Sequence, residues 1–433
     1  MTKLHTIGIL ILLGAAFLLL LALYFNYKAS RNQGLLQFTE IGREYDDAYN
    51  PIEVNGKLAF IARRDGKAFV VDAGEKRLAE YEAITEIANI GSGLAFTAVK
   101  DRKSDVFFGN QKILTDQYSV SNLHEIEGQL TFNVRHEKSD NAYTIYFGGE
   151  EVGKEYDFII GEPVQINGKL AFLAQKQNEV FLVSNGEKAS NAYKNADTLI
   201  SVNATYAFIA TKPPTQPVQF TGNTTEIARL LQGKSIVVYD GKELGEEYDG
   251  ITHLFNFAEK LLYIAATKTG QYVLVLEGKE ITREYDQIFA ITDVNGRLAF
   301  AAKLGVKTLI FYDNEKIDEL TGTETLQVLQ NAHGKLAYAV KKPDGFHVQL
   351  DGKKIGVYEY IRPLDENNWR FHEVLGKLAF AARIGNKWAL IYDGKELTSY
   401  DDIDELRVVG GKLTFTAGEK MDGGIKRFIV MEK

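Results

Sequence analysis

Ten copies of one short pattern recur along this chain: Leu, a small residue, an aromatic, any residue, then Ala or Val. It first appears as Leu58-Ala59-Phe60-Ile61-Ala62. The leading position returns at Leu94, Leu130, Leu170, Tyr206, Leu261, Leu298, Leu336, Leu378 and Leu413. The aromatic two residues later is never lost, from Phe60 through Tyr263 and Tyr338 to Phe415. The intervals are 36, 36, 40, 36, 55, 37, 38, 42 and 35 residues. A period in this range marks a solenoid, a propeller or an array of repeats.

Each repeat reads as four short strands. Asn55-Gly56 is a type I′ hairpin pair, and it recurs at Asn167-Gly168 and Asn295-Gly296. Asp65-Gly66 marks a second turn, and Asp240-Gly241, Asp351-Gly352 and Asp393-Gly394 mark a third. In the first repeat these turns predict strands at 52–54, 57–63, 67–72 and 77–84. The pentad does not alternate apolar with polar residues, so both faces of its strand are expected to be covered. Leu, the aromatic and the fifth residue share one face, and the small second residue lies on the other. Four-stranded sheets stacked face to face around an axis form a β-propeller.

The two ends of the repeat region predict a closed ring. Thr39 to Asp46 aligns with the fourth-strand segment Glu243 to Asp249, whereas Ile425 to Met431 aligns with a third strand and is the last. Pairing the two completes the final blade and removes an exposed edge. The expectation is an all-β propeller of about ten four-stranded blades closed by the N-terminal strand. Two five-bladed propellers in tandem, or an open stack, are the alternatives.

Residues 7–26 form an uncharged run rich in Leu and Ile that ends in Leu23-Tyr24-Phe25-Asn26-Tyr27. The run is long enough to span a bilayer, and its aromatic end fits the interface. It reads as one transmembrane signal anchor after a short tail, 1–6, and before a linker, 27–34. The propeller would fill 35–433 and lie outside the cytoplasm, in the periplasm or at the cell surface. The alternative is a cleaved signal peptide. The sequence has no Cys, which excludes disulfides and Cys-ligated metals. The first 34 residues hold three basic and no acidic side chains. The remainder therefore has 50 − 3 = 47 basic against 58 acidic residues, a net charge of −11. Nucleic acid is a poor partner for such a domain.

The most repeated polar motif is Tyr-Asp, at Tyr45-Asp46, Tyr156-Asp157, Tyr248-Asp249, Tyr285-Asp286 and Tyr400-Asp401, with Tyr81-Glu82 and Tyr358-Glu359 as variants. Acids lining one mouth of the ring could hold cations. Even spacing favours scaffold instead: Asp caps a turn through the backbone and Tyr packs between blades. The 55-residue interval carries an insertion, 211–234, with Pro213, Pro214, Pro217 and Phe220. Ile227, Leu230 and Leu231 follow at helical spacing. This insertion is a candidate partner-binding loop. The seven histidines show no metal-ligand spacing, and no nucleophile elbow, phosphate loop or dinucleotide motif is present. No cofactor is implied.

The stretch Asn55 to Lys67 resembles the WD-like repeat of TolB-type propellers, with Asp72, Asp240, Asp313 and Asp393 at the position of the repeat's final Asp. The usual Trp-Ser-Pro-Asp lead-in and a separate N-terminal domain are missing, and the repeats outnumber TolB's six blades. The resemblance implies an extracytoplasmic protein-binding propeller. The expected function is a membrane-anchored scaffold for a protein, peptide or glycan, without catalysis. A propeller hydrolase or lyase acting on an extracellular polymer is the alternative.

Overall fold

The computed structural model describes residues 37–433 apart from 77–80, 92, 118, 136–142, 154–155, 213–232, 363–369, 375 and 423. The anchor 7–26 and nearly all of the insertion 211–234 therefore lie outside the described residues. No helix among the described residues is long and apolar enough to cross a membrane.

The pentad sits at the middle of a strand, Lys57–Arg64, paired on one side with Asp47–Val54 and on the other with Lys67–Asp72. Asn55 and Gly56 both have left-handed φ, 53° and 72°, so the predicted type I′ turn forms. Asp240-Gly241, Asp351-Gly352 and Asp393-Gly394 repeat that geometry after the third strand. The stretch predicted as the fourth strand, 77–84, is assigned differently. Among the described residues the fourth strand is Glu75–Lys76, with an isolated bridge from Tyr81 to Ala68, and 77–80 lie outside the described residues. Ala83–Ile90 is instead the first strand of the next blade. In blades 5, 8 and 9 the fourth strand ends on the motif's tyrosine, as Lys242–Tyr248, Lys353–Tyr358 and Lys395–Tyr400, and the crossover to the next blade starts there.

Ten antiparallel sheets result, nine of four strands and one of five. Blade 1 spans 47–76, blade 2 83–117, blade 3 119–152, blade 4 158–188 and blade 5 195–248. Blade 6 spans 250–280, blade 7 287–320, blade 8 325–358 and blade 9 360–400. Blade 10 holds Asp402–Val409, Lys412–Met421 and Gly424–Glu432, and its fourth strand is Phe38–Ile41. In register, Phe38 opposes Glu432, Thr39 opposes Met431 and Ile41 opposes Ile429. The predicted closing strand is thus shorter than 39–46. Gly42, at φ +81° with Ala48 Cβ 3.1 Å from where a Cβ would stand, turns the chain into blade 1.

The core lies between blades rather than within them. Among the described residues there are ten apolar clusters, each shared by two successive blades. Ala59 and Ile61 of blade 1 face blade 2, where Leu94, Phe96 and Ala98 meet them. Phe60 and Ala62 face the other way, onto Ile429 of blade 10. The strand's two faces therefore serve two different gaps, which is why the pentad does not alternate with polar residues. Contact between blades 10 and 1 makes one ring and excludes two five-bladed propellers.

Candidate functional site

The first strands of blades 1, 3, 4, 5, 7 and 10 are broken by a bulge at their centre, and those of blades 2, 6 and 8 by a one-residue shift near their start. In blade 1 the ladder jumps from Tyr49 to Ile52, opposite Phe60. Asn50, Asn122, Gly161, Thr198, Ala290 and Glu405 hold left-handed φ at this position in blades 1, 3, 4, 5, 7 and 10. Contacts between first strands of neighbouring blades recur around the ring, and none comparable links the fourth strands. The bulges therefore line the central channel, and a bulge redirects side chains and backbone N–H groups out of the ladder.

Carboxylates at the channel wall join blade to blade. Glu86 accepts hydrogen bonds from the backbone N–H of Asn122 (3.1 Å) and Leu123 (2.8 Å). Glu405 accepts from Asn50 N–H and from the Thr416 hydroxyl, both at 2.6 Å. At the adjoining rim, Glu53, Glu125, Asp293 and Glu373 cap the first-hairpin turns at Gly410, Gly91, Ala258 and His333 of the preceding blades.

Blades 9, 10 and 1 concentrate charge at the starts of their first strands. Arg362 pairs with Asp402 at 2.5 Å and Asp404 at 3.5 Å, and its guanidinium lies 4.2 Å over Trp388. Arg427 stands 3.8 Å from both Asp402 and Asp47. His372 lies nearby, in a crevice shared with Arg370, Asp404 and Glu405. Burial, and then the positive charge of Arg407, push its pKa down to about 4, so the imidazole is neutral at pH 7. The crevice has only about 10 Å³ of space, close to one water. A larger gap of about 350 Å³ opens between blades 3 and 4, lined by Ser121, Asn122, Asn133, Ile159, Gly161 and Glu162.

The Tyr-Asp acids are not gathered in one site. Asp46 accepts from Asp65 N–H, Asp157 from Gln177, Asp286 from Gly305 and Asp401 from Lys420. Asp249 is paired with Lys234. Each of the first four caps the second turn of the following sheet, a turn about 20 residues downstream rather than its own backbone. The tyrosines fill the gaps between blades: Tyr156 meets Phe172 and Phe181 edge-on, and Tyr400 meets Phe415 and Phe428.

Pro213, Pro214, Pro217, Phe220, Ile227, Leu230 and Leu231 lie outside the described residues. Lys212 and Lys234 flank that insertion and pair directly with one another. The bulge glutamates and the Arg362 cluster escaped sequence reasoning, because Glu86 and Glu405 belong to strands whose alternation the bulge interrupts. One signal was present. The 42-residue interval before Leu378 reflects a first strand of blade 9 split between Tyr360–Ile361 and His372–Val374.

No known family profile matches the sequence, and no curated protein does. Among solved structures, a crystal structure of the eukaryotic initiation factor is similar over 81% of this chain and 97% of its own, at 12% identity and a TM-score of 0.50. The β-propeller domain of the Trilobed protease from Pyrococcus furiosus is similar over 72% of this chain and 95% of its own, at 10% identity and a TM-score of 0.30. An acylaminoacyl peptidase from Pyrococcus horikoshii is similar over 89% of this chain and 60% of its own, at 10% identity and a TM-score of 0.32. At such identity the first likeness speaks to fold alone.

Proposed function

We propose that this chain is a membrane-anchored, extracytoplasmic propeller of TolB-like, WD-like type that binds a protein, peptide or glycan partner without catalysis. One observation carries the reading. The Tyr-Asp acids are engaged as turn caps or, at Asp249, with Lys234, whereas the channel-lining first strands keep exposed polar side chains such as Asp197, Thr252 and His253. The hydrolase or lyase reading has less behind it, since His372 and Glu405 share a crevice with room for about one water.

The fold also suits an anchor. The closing strand begins at Phe38 opposite Glu432, on the face that bears the first hairpins. The eleven residues 27–37 reach at most about 40 Å when extended. An anchor at 7–26 would hold that face toward the bilayer and leave the second-hairpin face free.

The test uses the full chain in its native membrane. Alkaline carbonate should leave it in the pellet, and protease added from the extracytoplasmic side should digest the propeller. A photo-crosslinking residue at Asp197 or Thr252, on channel-lining strands, should trap a partner that the same residue at Val357, on an outer strand, does not. Release by carbonate would remove the anchor from the account. Turnover of a polymer by the purified chain would replace the scaffold with an enzyme.

A further inference from the structure

The latching glutamates show what the gap between blades 3 and 4 lacks. In the two gaps latched at the bulge, a glutamate of one blade reaches the N–H of a left-handed residue in the next. Glu86 reaches Asn122, at φ 59°, and Glu405 reaches Asn50, at φ 54°. Blade 4 carries a left-handed residue at the same point in a bulge one residue longer than those of blades 1 and 3. Gly161 has φ 72° at the same bulge position, and Gly161 to Pro163 fall outside the ladder. Blade 3 does not repeat the donor of the carboxylate, because Asn122 stands where blades 2 and 10 carry Glu86 and Glu405.

The space a glutamate would fill is open, at about 350 Å³. Asn133 lines it, at the second-strand position where Thr416 donates to Glu405 in blade 10. Its Oδ1 is buried without a partner among the described residues. A side-chain amide offers both donor and acceptor, and its O and N ends are interchangeable in such an assignment. In blades 4, 5 and 6 the same position holds buried Leu173, Ile209 and Ile264. Among the described residues the lining contains no Lys or Arg and one carboxylate, the exposed Glu162. A plain anion there would face Glu162 uncompensated, whereas a ligand with its own ammonium would not.

We propose that this gap binds a small zwitterion of amino-acid size, its carboxylate seated where Glu86 and Glu405 seat theirs and its ammonium against Glu162. The repeat supplies its own ligand at two left-handed bulges; of those without such a glutamate, at Gly161, Thr198, Ala290 and Glu405, the one at Gly161 opens on this cavity and takes a free molecule. This assignment depends on neither the anchor nor the scaffold role.

Titration calorimetry on the full chain in detergent tests it with the twenty amino acids, and with propionate and alaninamide beside alanine. At least one amino acid should bind below about 1 mM, and removing either of its charges should weaken binding about tenfold. Asn122→Glu should abolish that binding and raise Tm, because the side chain closes the latch. Glu405 already occupies this position with φ 52°, so the backbone accepts Glu. Glu162→Gln should turn the preference from the zwitterion toward propionate. Asn133→Leu, the residue of blade 4, serves if Asn122→Glu does not fold, and it too should abolish binding. No binding by any amino acid at about 10 mM, or unchanged affinity in both variants, overturns the assignment.

Discussion

Phe172 shows how much one repeated residue carries. It is 1% exposed, lies in the gap between blades 3 and 4, and receives the edge of Tyr156 at 6.1 Å. Phe172→Ala should cost about 3–5 kcal/mol in chemical denaturation, as for a buried aromatic whose cavity cannot collapse. A loss under about 1 kcal/mol would mean that the gap repacks or is not tight. His372 gives a residue-scale prediction in pH. Its folded pKa, about 4, lies below the ordinary 6.5. Between those values the unfolded chain binds more protons than the folded one, so stability rises with pH there. The His372 contribution is therefore complete above about pH 6.5 and is lost as pH falls toward 4. His372→Gln should flatten that part of the stability profile, and an unchanged slope would place the imidazole in water.

At the scale of the strand and the turn, much of this fold is written in short range. The Asn-Gly and Asp-Gly pairs fix two hairpins because both residues must take φ > 0. The apolar pentad marks a strand covered on both faces. The first strand is harder to read, since its bulge interrupts the period of two and the left-handed residue varies from Asn50 to Thr198, Ala290 and Glu405. The partner that makes each bulge useful sits in another blade, as Glu86 does for Asn122 at a separation of 36 residues. No local pattern encodes that. The Tyr-Asp acids were legible as a motif, but their turns lie in the following sheet. The strand pair that carries the insertion is already complete at its base, where Lys212 pairs with Lys234. Replacing 213–232 by Asp-Gly should leave the midpoint of denaturation unchanged or raise stability by up to about 2 kcal/mol, since a shorter loop is easier to close. A large loss would show that Pro213 to Leu231 pack on the ring. If the same variant loses its partner, the insertion belongs to the binding surface.

For the whole molecule, the ring depends on four residues at one end of the chain. Phe38–Ile41 complete blade 10, and Phe38 packs edge-on against Phe415 at 5.7 Å. Arg43 clamps the junction, donating to Glu419 at 2.7 and 2.9 Å and to Glu40 at 2.5 Å while lying over Phe428. These charge-assisted contacts hold the Arg43 pKa above its ordinary value, first through Glu419 and then Glu40. Deleting residues 1–46 should strip this strand, expose the edge of Gly424–Glu432 and promote aggregation, whereas deleting 1–34 should leave the ring intact.

Closure is tested most directly by a disulfide. The chain has no cysteine, so Thr39→Cys with Met431→Cys introduces a single possible pair. These residues face each other in register across the closing strands. Opposed antiparallel residues have Cα atoms about 4.5–5.5 Å apart, inside the range a disulfide spans. The closed ten-bladed ring predicts an intramolecular crosslink on mild oxidation, read as a mobility shift that reductant reverses. Free thiols that resist oxidation, or a crosslink only between two chains, would contradict a ring closed by its own N-terminal strand.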